Sequence, residues 1–169
     1  NSTLDGYIEG YTLGAQVTVL YSTGNSEQTQ LDGFAADAIT SRRLGFPRIT
    51  ERVPKFGSET STEIILLNPN EETAYLNLGL FARTPSGPAS LIGAISEMEL
   101  PGHNRVRRRI SQLIPTGWYP LDNAYLAVDS VKSDMPIKAL EVVRIGDSVA
   151  IGQGVARGLD VRPLIAPQF

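Results

Sequence analysis

Four arginines fall within seven residues of this chain, Arg105, Arg107, Arg108 and Arg109 in "NRVRRRI" (104–110). Guanidinium groups hold carboxylate, sulfate or phosphate through paired hydrogen bonds, so the cluster is a candidate contact for an anion or an acidic polysaccharide. The competing reading is a solvated face. If Ile110, Leu113 and Ile114 point inward, the arginines are the wet side of a lid and pair with acids such as Glu97 and Glu99. Just downstream, "TGWYP" carries the adjacent aromatics Trp118 and Tyr119. They offer a sugar-stacking platform or a cap on the core, and burial is the favoured reading because large rings bury most of their area.

Other candidates are weaker. His103, the single histidine, stands in "PGHNR", a tight-turn context with no partner that spacing can identify. "GQGVARG" (152–158) spaces its glycines G-x-G-x-x-x-G, and the prolines Pro163 and Pro167 follow it instead of a helix. A phosphate loop needs that helix, whose N-terminus supplies the anion site. Acidic residues are scattered, without the spacing of a calcium loop. No catalytic residue, metal site or cofactor is expected.

These residues must be placed by strands. The 169 residues carry a net charge of −3, 41% hydrophobic residues and 20% charged ones. That composition supports a buried core and a globular chain, and it argues against nucleic acid or an anionic membrane as the main partner. No apolar run reaches the ~18 residues that would cross a bilayer as a helix. With 16 Gly and 11 Pro, few windows can sustain helical periodicity. β-Branched and alternating runs recur instead: "QVTVLY" (16–21), "TEIILL" (62–67), "AYLNLGLF" (74–81), "ISEMEL" (95–100), "AYLAVDS" (124–130), "IKALEVVRI" (137–145) and "VAIGQGV" (149–155). Such spacing predicts an all-β, two-sheet antiparallel sandwich, immunoglobulin-like in general architecture.

The alternation predicts core positions at Ile64, Leu66, Leu76, Leu78, Leu80, Leu126, Val128, Leu140 and Val142, and in "ISEMEL" at Ser96, Met98 and Leu100. Asn68-Pro69 predicts a tight turn, with the Asn68 side chain bonded to nearby backbone. A short helix is expected near 107–114, stopped by Pro115, as a lid over one end of the sandwich.

The chain also repeats itself. "VRPLIAPQF" (161–169) restates "SRRLGFPRI" (41–49), and Asp5/Asp122, Tyr7/Tyr125, Gly33/Gly154 and Pro47/Pro167 pair at separations of 117 to 121 residues. Ordered anchors at one spacing imply a module of about 120 residues, the size of a β-sandwich domain. The expected division is 1–45 as the back half of a preceding module, 46–160 as a complete sandwich, and 161–169 as the first strand of a following one. That last strand, through Leu164, Ile165, Pro167 and Phe169, is a candidate for head-to-tail strand addition between copies.

"FPRI", "TEIILLNP" (62–69), "LPGHN" (100–104), "AYLAVDSVKSDMPIKALEVV" (124–143) and "IGQGVA" (151–156) resemble tandem β-sandwich repeats of large, mostly uncharacterised exported bacterial proteins. The resemblance runs from Phe46 to about Ala156, and more weakly over 4–37. It implies extracellular or cell-envelope placement and a non-enzymatic structural or adhesive role, with neighbouring modules as partners. The alternative is a carbohydrate- or anion-binding module. Absence of cysteine agrees with an exported protein.

Overall fold

The computed structural model describes residues 19–24, 31–36, 40–83, 87–132, 135–153 and 155–156, with side chains described between 40 and 150. The all-β expectation holds: antiparallel strands dominate, and helix is limited to one turn among the described residues. No helix there is long and apolar enough to cross a membrane. The candidate tail residues Leu164, Ile165, Pro167 and Phe169 lie outside the described residues.

A hairpin of β1 (Val19–Gly24) and β2 (Leu31–Ala36) precedes the sandwich. The chain then forms β3 (Arg43–Glu51), β4 (Pro54–Lys55), β5 (Ser58–Leu67), β6 (Ala74–Arg83), β7 (Ala89–Leu100) and β8 (Arg105–Arg109). Helix α1 (Ile110–Leu113) follows, then β9 (Leu121–Ser130), β10 (Lys138–Ile145), β11 (Ser148–Gln153) and β12 (Val155–Ala156). One sheet runs β11-β10-β5, with β4 and β8 both paired to β5; the other runs β12-β3-β9-β6-β7.

Period-2 alternation puts Ile64 and Leu66 from one sheet against Leu76, Leu78, Leu80, Leu126 and Val128 from the other, all at 2% exposure or less. Truncating any of these leucines to Ala removes its transfer energy and leaves a cavity, about 2–5 kcal/mol. α1 is shorter than expected. Arg107–Arg109 belong to strand β8, while Ile110, Leu113 and Ile114 turn inward. Ile114 lies over Gly93 of β7, where a Cβ would come within 2.5 Å of its methyl group.

Two faces differ from the alternation, and both have a local cause. In β7, Leu76 pairs with Met98 but Leu78 pairs with Ile95, so two residues face one across a bulge. Glu97 takes φ 54 there, and its N–H donates to Asn77 Oδ1 at 2.9 Å. The bulge flips parity, so Ile95 packs on the core together with Met98, while Ser96 is exposed. In β10, Ala139 stands opposite Leu66 and Glu141 opposite Ile64. Directly opposed residues share a face, so Ala139 and Glu141 point inward and Leu140 and Val142 outward. Leu140 is accordingly half-buried and outside the core cluster, whereas Val142 is buried as expected, at 6% exposure, on the outer face of this sheet. β2 comes within 8 Å of β11, Cα to Cα, beside this sheet.

Asn68 closes the far end of the sandwich. Fully buried, it donates from Nδ2 to Glu72 O (2.7 Å) and Leu100 O (2.9 Å), and its Oδ1 accepts from Asn70 N (3.0 Å) and Asn70 Nδ2 (2.8 Å). The expected Asx turn is there, extended into a tie between the β5–β6 and β7–β8 turns. The same two turns meet so closely at Gly102 that a Cβ would lie 1.9 Å from Glu71 O.

Replacing Asn68 with Ala deletes these bonds and leaves the Leu100 carbonyl without this donor in the interior. A loss of about 2–4 kcal/mol is expected in urea denaturation, above the ~1 kcal/mol of an ordinary hydrogen bond. A second outcome concerns Glu141, whose Oε2 is buried without a hydrogen-bond partner among the described residues. Burial raises its carboxyl from the ordinary 4.5 to about 7, with the Arg48 charge opposing. A raised folded-state value favours the neutral acid, so this stabilisation is full below about pH 4.5 and is lost as pH rises through about 7. Thermal melts should therefore show stability falling across that interval, and Glu141→Gln should flatten the slope.

Candidate functional site

The end opposite Asn68 holds a cleft of about 230 Å³, lined by Glu51, Arg52, Glu59, Thr60, Ser61, Arg109, Ser111, Arg144 and Gly146. It exists because the edge of β5 has a gap. β4 pairs with that strand at Ser58 and Glu59, and β8 pairs from Glu63 to Leu67, leaving residues 60–62 to neither. The backbone groups in the gap find partners in the β3–β4 connection. Arg52 N–H donates to Thr60 O at 2.8 Å and Thr60 N–H to Val53 O at 2.9 Å. Thr62 N–H has no strand opposite and donates instead to Glu51 Oε2 at 2.8 Å. The other carboxylate oxygen of Glu51 accepts from Ser111 Oγ at 2.8 Å, and Glu51 is only 2% exposed. Thr62 Oγ1 completes the seam, donating to Thr50 O (2.7 Å) and accepting from Thr50 N–H (3.1 Å).

The arginine cluster is divided by strand parity. Arg105, Arg107 and Arg109 stand opposite Leu67, Ile65 and Glu63 on the outward face of the sheet, whereas Arg108 stands opposite the inward Ile64. Arg107 does not pair with Glu97 or Glu99. It donates to Glu63 Oε2 from NH2 at 2.6 Å and from Nε at 3.3 Å. The same oxygen has Arg144 Nε at 3.6 Å. Arg109 alone of the four reaches the cleft, where it is exposed and makes no ion pair among the described residues. Arg144, from the end of β10, stands opposite Ser61 on the same outward face.

Trp118 and Tyr119 sit at this end of the sandwich but do not form one platform. Tyr119 turns in against the core, where its hydroxyl donates to Ile114 O at 3.1 Å. Burial and then the Glu51 charge raise that hydroxyl to about 12, with Arg52 opposing, so it stays a donor. The Arg52 guanidinium lies 4.9 Å above the Tyr119 ring. Trp118 remains 52% exposed, so burial describes one ring of the pair and not the other. His103 is at the opposite end, its N–H donating to Asn70 O at 3.0 Å.

No family model and no curated protein matches the chain. Its fold is similar to the crystal structure of Thermotoga maritima 1070. That likeness has a TM-score of 0.52 at 13% identity, over 70% of this chain and 96% of that one. At such identity the likeness is one of fold alone.

Among the described residues, the most exposed large apolar side chain is one that the strand pattern did not single out. Lys55 and Ser58 close a two-residue hairpin whose tip is Phe56 (φ 52) and Gly57 (φ 80). Positive φ at both positions marks a type I′ turn, which favours Asn-Gly. Phe56 is 97% exposed. Lys55 Nζ lies 3.6 Å from Asp122 Oδ1, which fastens the hairpin to the start of β9 beside the Trp118 loop. Gly146, where a Cβ would lie 2.9 Å from Ser58 Oγ, closes the β10–β11 turn against the other side. Phe56, Trp118 and the cleft therefore share one end. Lys55-Phe56-Gly57-Ser58 is a legible signal for the hairpin, whereas Glu51, Ser111 and Arg144 are joined only by the fold.

Glu51→Gln retains the volume but turns an NH2 toward one of two donors in a buried seam. A cost of about 1.5–3 kcal/mol is expected, against about 0.5–1.5 kcal/mol for Ser111→Ala, both read from urea midpoints.

Proposed function

We propose that this chain is a non-enzymatic adhesive or structural β-sandwich module of an exported or cell-surface bacterial protein. Its contact surface is the end that carries Phe56, Trp118 and the cleft. The observation that supports this reading is Phe56. A bulky residue in the left-handed region costs about 1–3 kcal/mol, and leaving its ring in water forgoes a further ~1.5–3 kcal/mol of burial. Among the described residues nothing covers the Phe56 ring, and local rules are broken in this way where a surface meets a partner. Of the other described non-glycine residues with positive φ, Arg52 and Asn123 stand at the same end, whereas Glu97 lies in the β7 bulge and His103 at the opposite end.

A carbohydrate- or anion-binding role is favoured as the mode of contact by the cleft itself, which Arg109, Arg144 and Ser61 line together. Retention on insoluble bacterial envelope material tests the adhesive reading. Wild type should be retained, and Phe56→Ser and Trp118→Ser should each lower retention roughly tenfold, the scale of one buried aromatic anchor. Both positions are exposed, so melting temperatures should not fall. Equal retention of wild type and both variants would overturn this contact surface.

A further inference from the structure

We infer that the cleft is a subsite for one anionic sugar unit, a uronate carboxylate or a sulfate ester, within an acidic polysaccharide. This rests on the adhesive reading and names the ligand class for it. Size is the first argument. At about 230 Å³ the cleft is smaller than the ~300–1,000 Å³ of sites that enclose drug-sized ligands, so it suits one ring of a polymer whose remainder stays outside.

Charge is the second. Glu51 lines the cleft, but each of its oxygens already accepts a bond, from Thr62 N–H and from Ser111 Oγ, and it is only 2% exposed, so it faces the seam more than the cleft. Arg109 is exposed without an ion pair among the described residues, and Arg144 there approaches only Glu63, at 3.6 Å, on an oxygen that Arg107 already holds at 2.6 Å. The two arginines come from strands on either side of β5, Arg144 opposite Ser61 and Arg109 opposite Glu63, about 12 Å apart at the backbone, so their long side chains can reach a group seated between them beside Ser61. A guanidinium on each side gives a carboxylate or sulfate paired hydrogen bonds.

The third argument separates a sugar from a bare anion. Glu59 also lines the cleft and is exposed. A carboxylate there repels inorganic sulfate or phosphate, but it accepts hydrogen bonds from sugar hydroxyls, which Ser61 and Ser111 can also meet. At the same end, outside the cleft lining, the hairpin tip exposes the Phe56 ring, against which a pyranose with one hydrophobic face can rest.

Isothermal titration calorimetry with four probes tests the assignment: an oligogalacturonide, a sulfated oligosaccharide of similar length, a neutral glucan oligosaccharide and inorganic sulfate. At least one acidic oligosaccharide should bind, more weakly as salt is added, and which one binds distinguishes carboxylate from sulfate ester. Arg109→Gln and Arg144→Gln should each weaken it roughly tenfold. Arg108→Gln removes the same charge from the other face of β8 and should leave affinity within about twofold. Comparable loss in Arg108→Gln, equal binding of the neutral oligosaccharide or of sulfate, or no binding of either acidic probe overturns the assignment. If the probes fail while Phe56-dependent retention on envelope material persists, this inference alone falls. If wild-type retention fails while an acidic probe binds through Arg109 and Arg144, the subsite stands and the adhesive reading falls.

Discussion

A single buried carboxylate holds the cleft end together. Strand β5 has neighbours on one edge at its beginning and again toward its end, and Glu51 replaces the missing strand between them by accepting the Thr62 N–H. Because Glu51 belongs to β3, this bond ties one sheet to the other. Because its second oxygen takes Ser111 Oγ, it also fixes the residue that carries the chain from β8 into α1. Charge-assisted hydrogen bonds from a backbone N–H and a hydroxyl are short and strong in so dry a place. Arg52, directly after Glu51, is thereby held over Tyr119 at the mouth of the cleft.

What the sequence made legible follows from which forces are local. Alternation at Leu76, Leu78 and Leu80 is a property of one strand, and all three are buried as that pattern requires. Asn68 closes a turn with its own neighbours, so its type and position were sufficient to find it. Parity failed where a second strand set it. Glu97 reverses the face of β7 only because Asn77 lies across from the bulge, and Glu141 faces inward only because Ile64 stands opposite. The arginine run was legible as chemistry but not as geometry. Read on a helix it is one wet face, whereas on a strand it separates into alternate faces and sends Arg109 alone to the cleft. Glu51 and Ser111 lie 60 positions apart, and no spacing rule connects them.

The two ends of the sandwich are stabilised differently. At the Asn68 end, both polar atoms of the Asn68 side chain are hydrogen-bonded, Gly102 permits a backbone contact that any side chain would block, and His103 takes a left-handed conformation. At the cleft end, Arg52, Phe56 and Asn123 hold left-handed conformations, and polar groups face an open space. Strain of this kind persists only where surrounding structure over-determines it, and the Glu51 seam and the Lys55–Asp122 contact provide that determination.

The pairing of β12 with β3 bears on how such a module is mounted. Val155 lies opposite Gly45 and Ala156 opposite Leu44, so the chain leaves the sandwich beside the point where it entered. Antiparallel neighbours of this kind are about 5 Å apart. Arg43 stands opposite Asp129, near the Asn68 end, while Glu51 stands opposite Leu121 at the cleft. Entry and exit thus share one pole and the cleft occupies the other. Among the described residues, the strand that opens the sandwich and the strand that closes it therefore meet at the end farthest from the Phe56 hairpin.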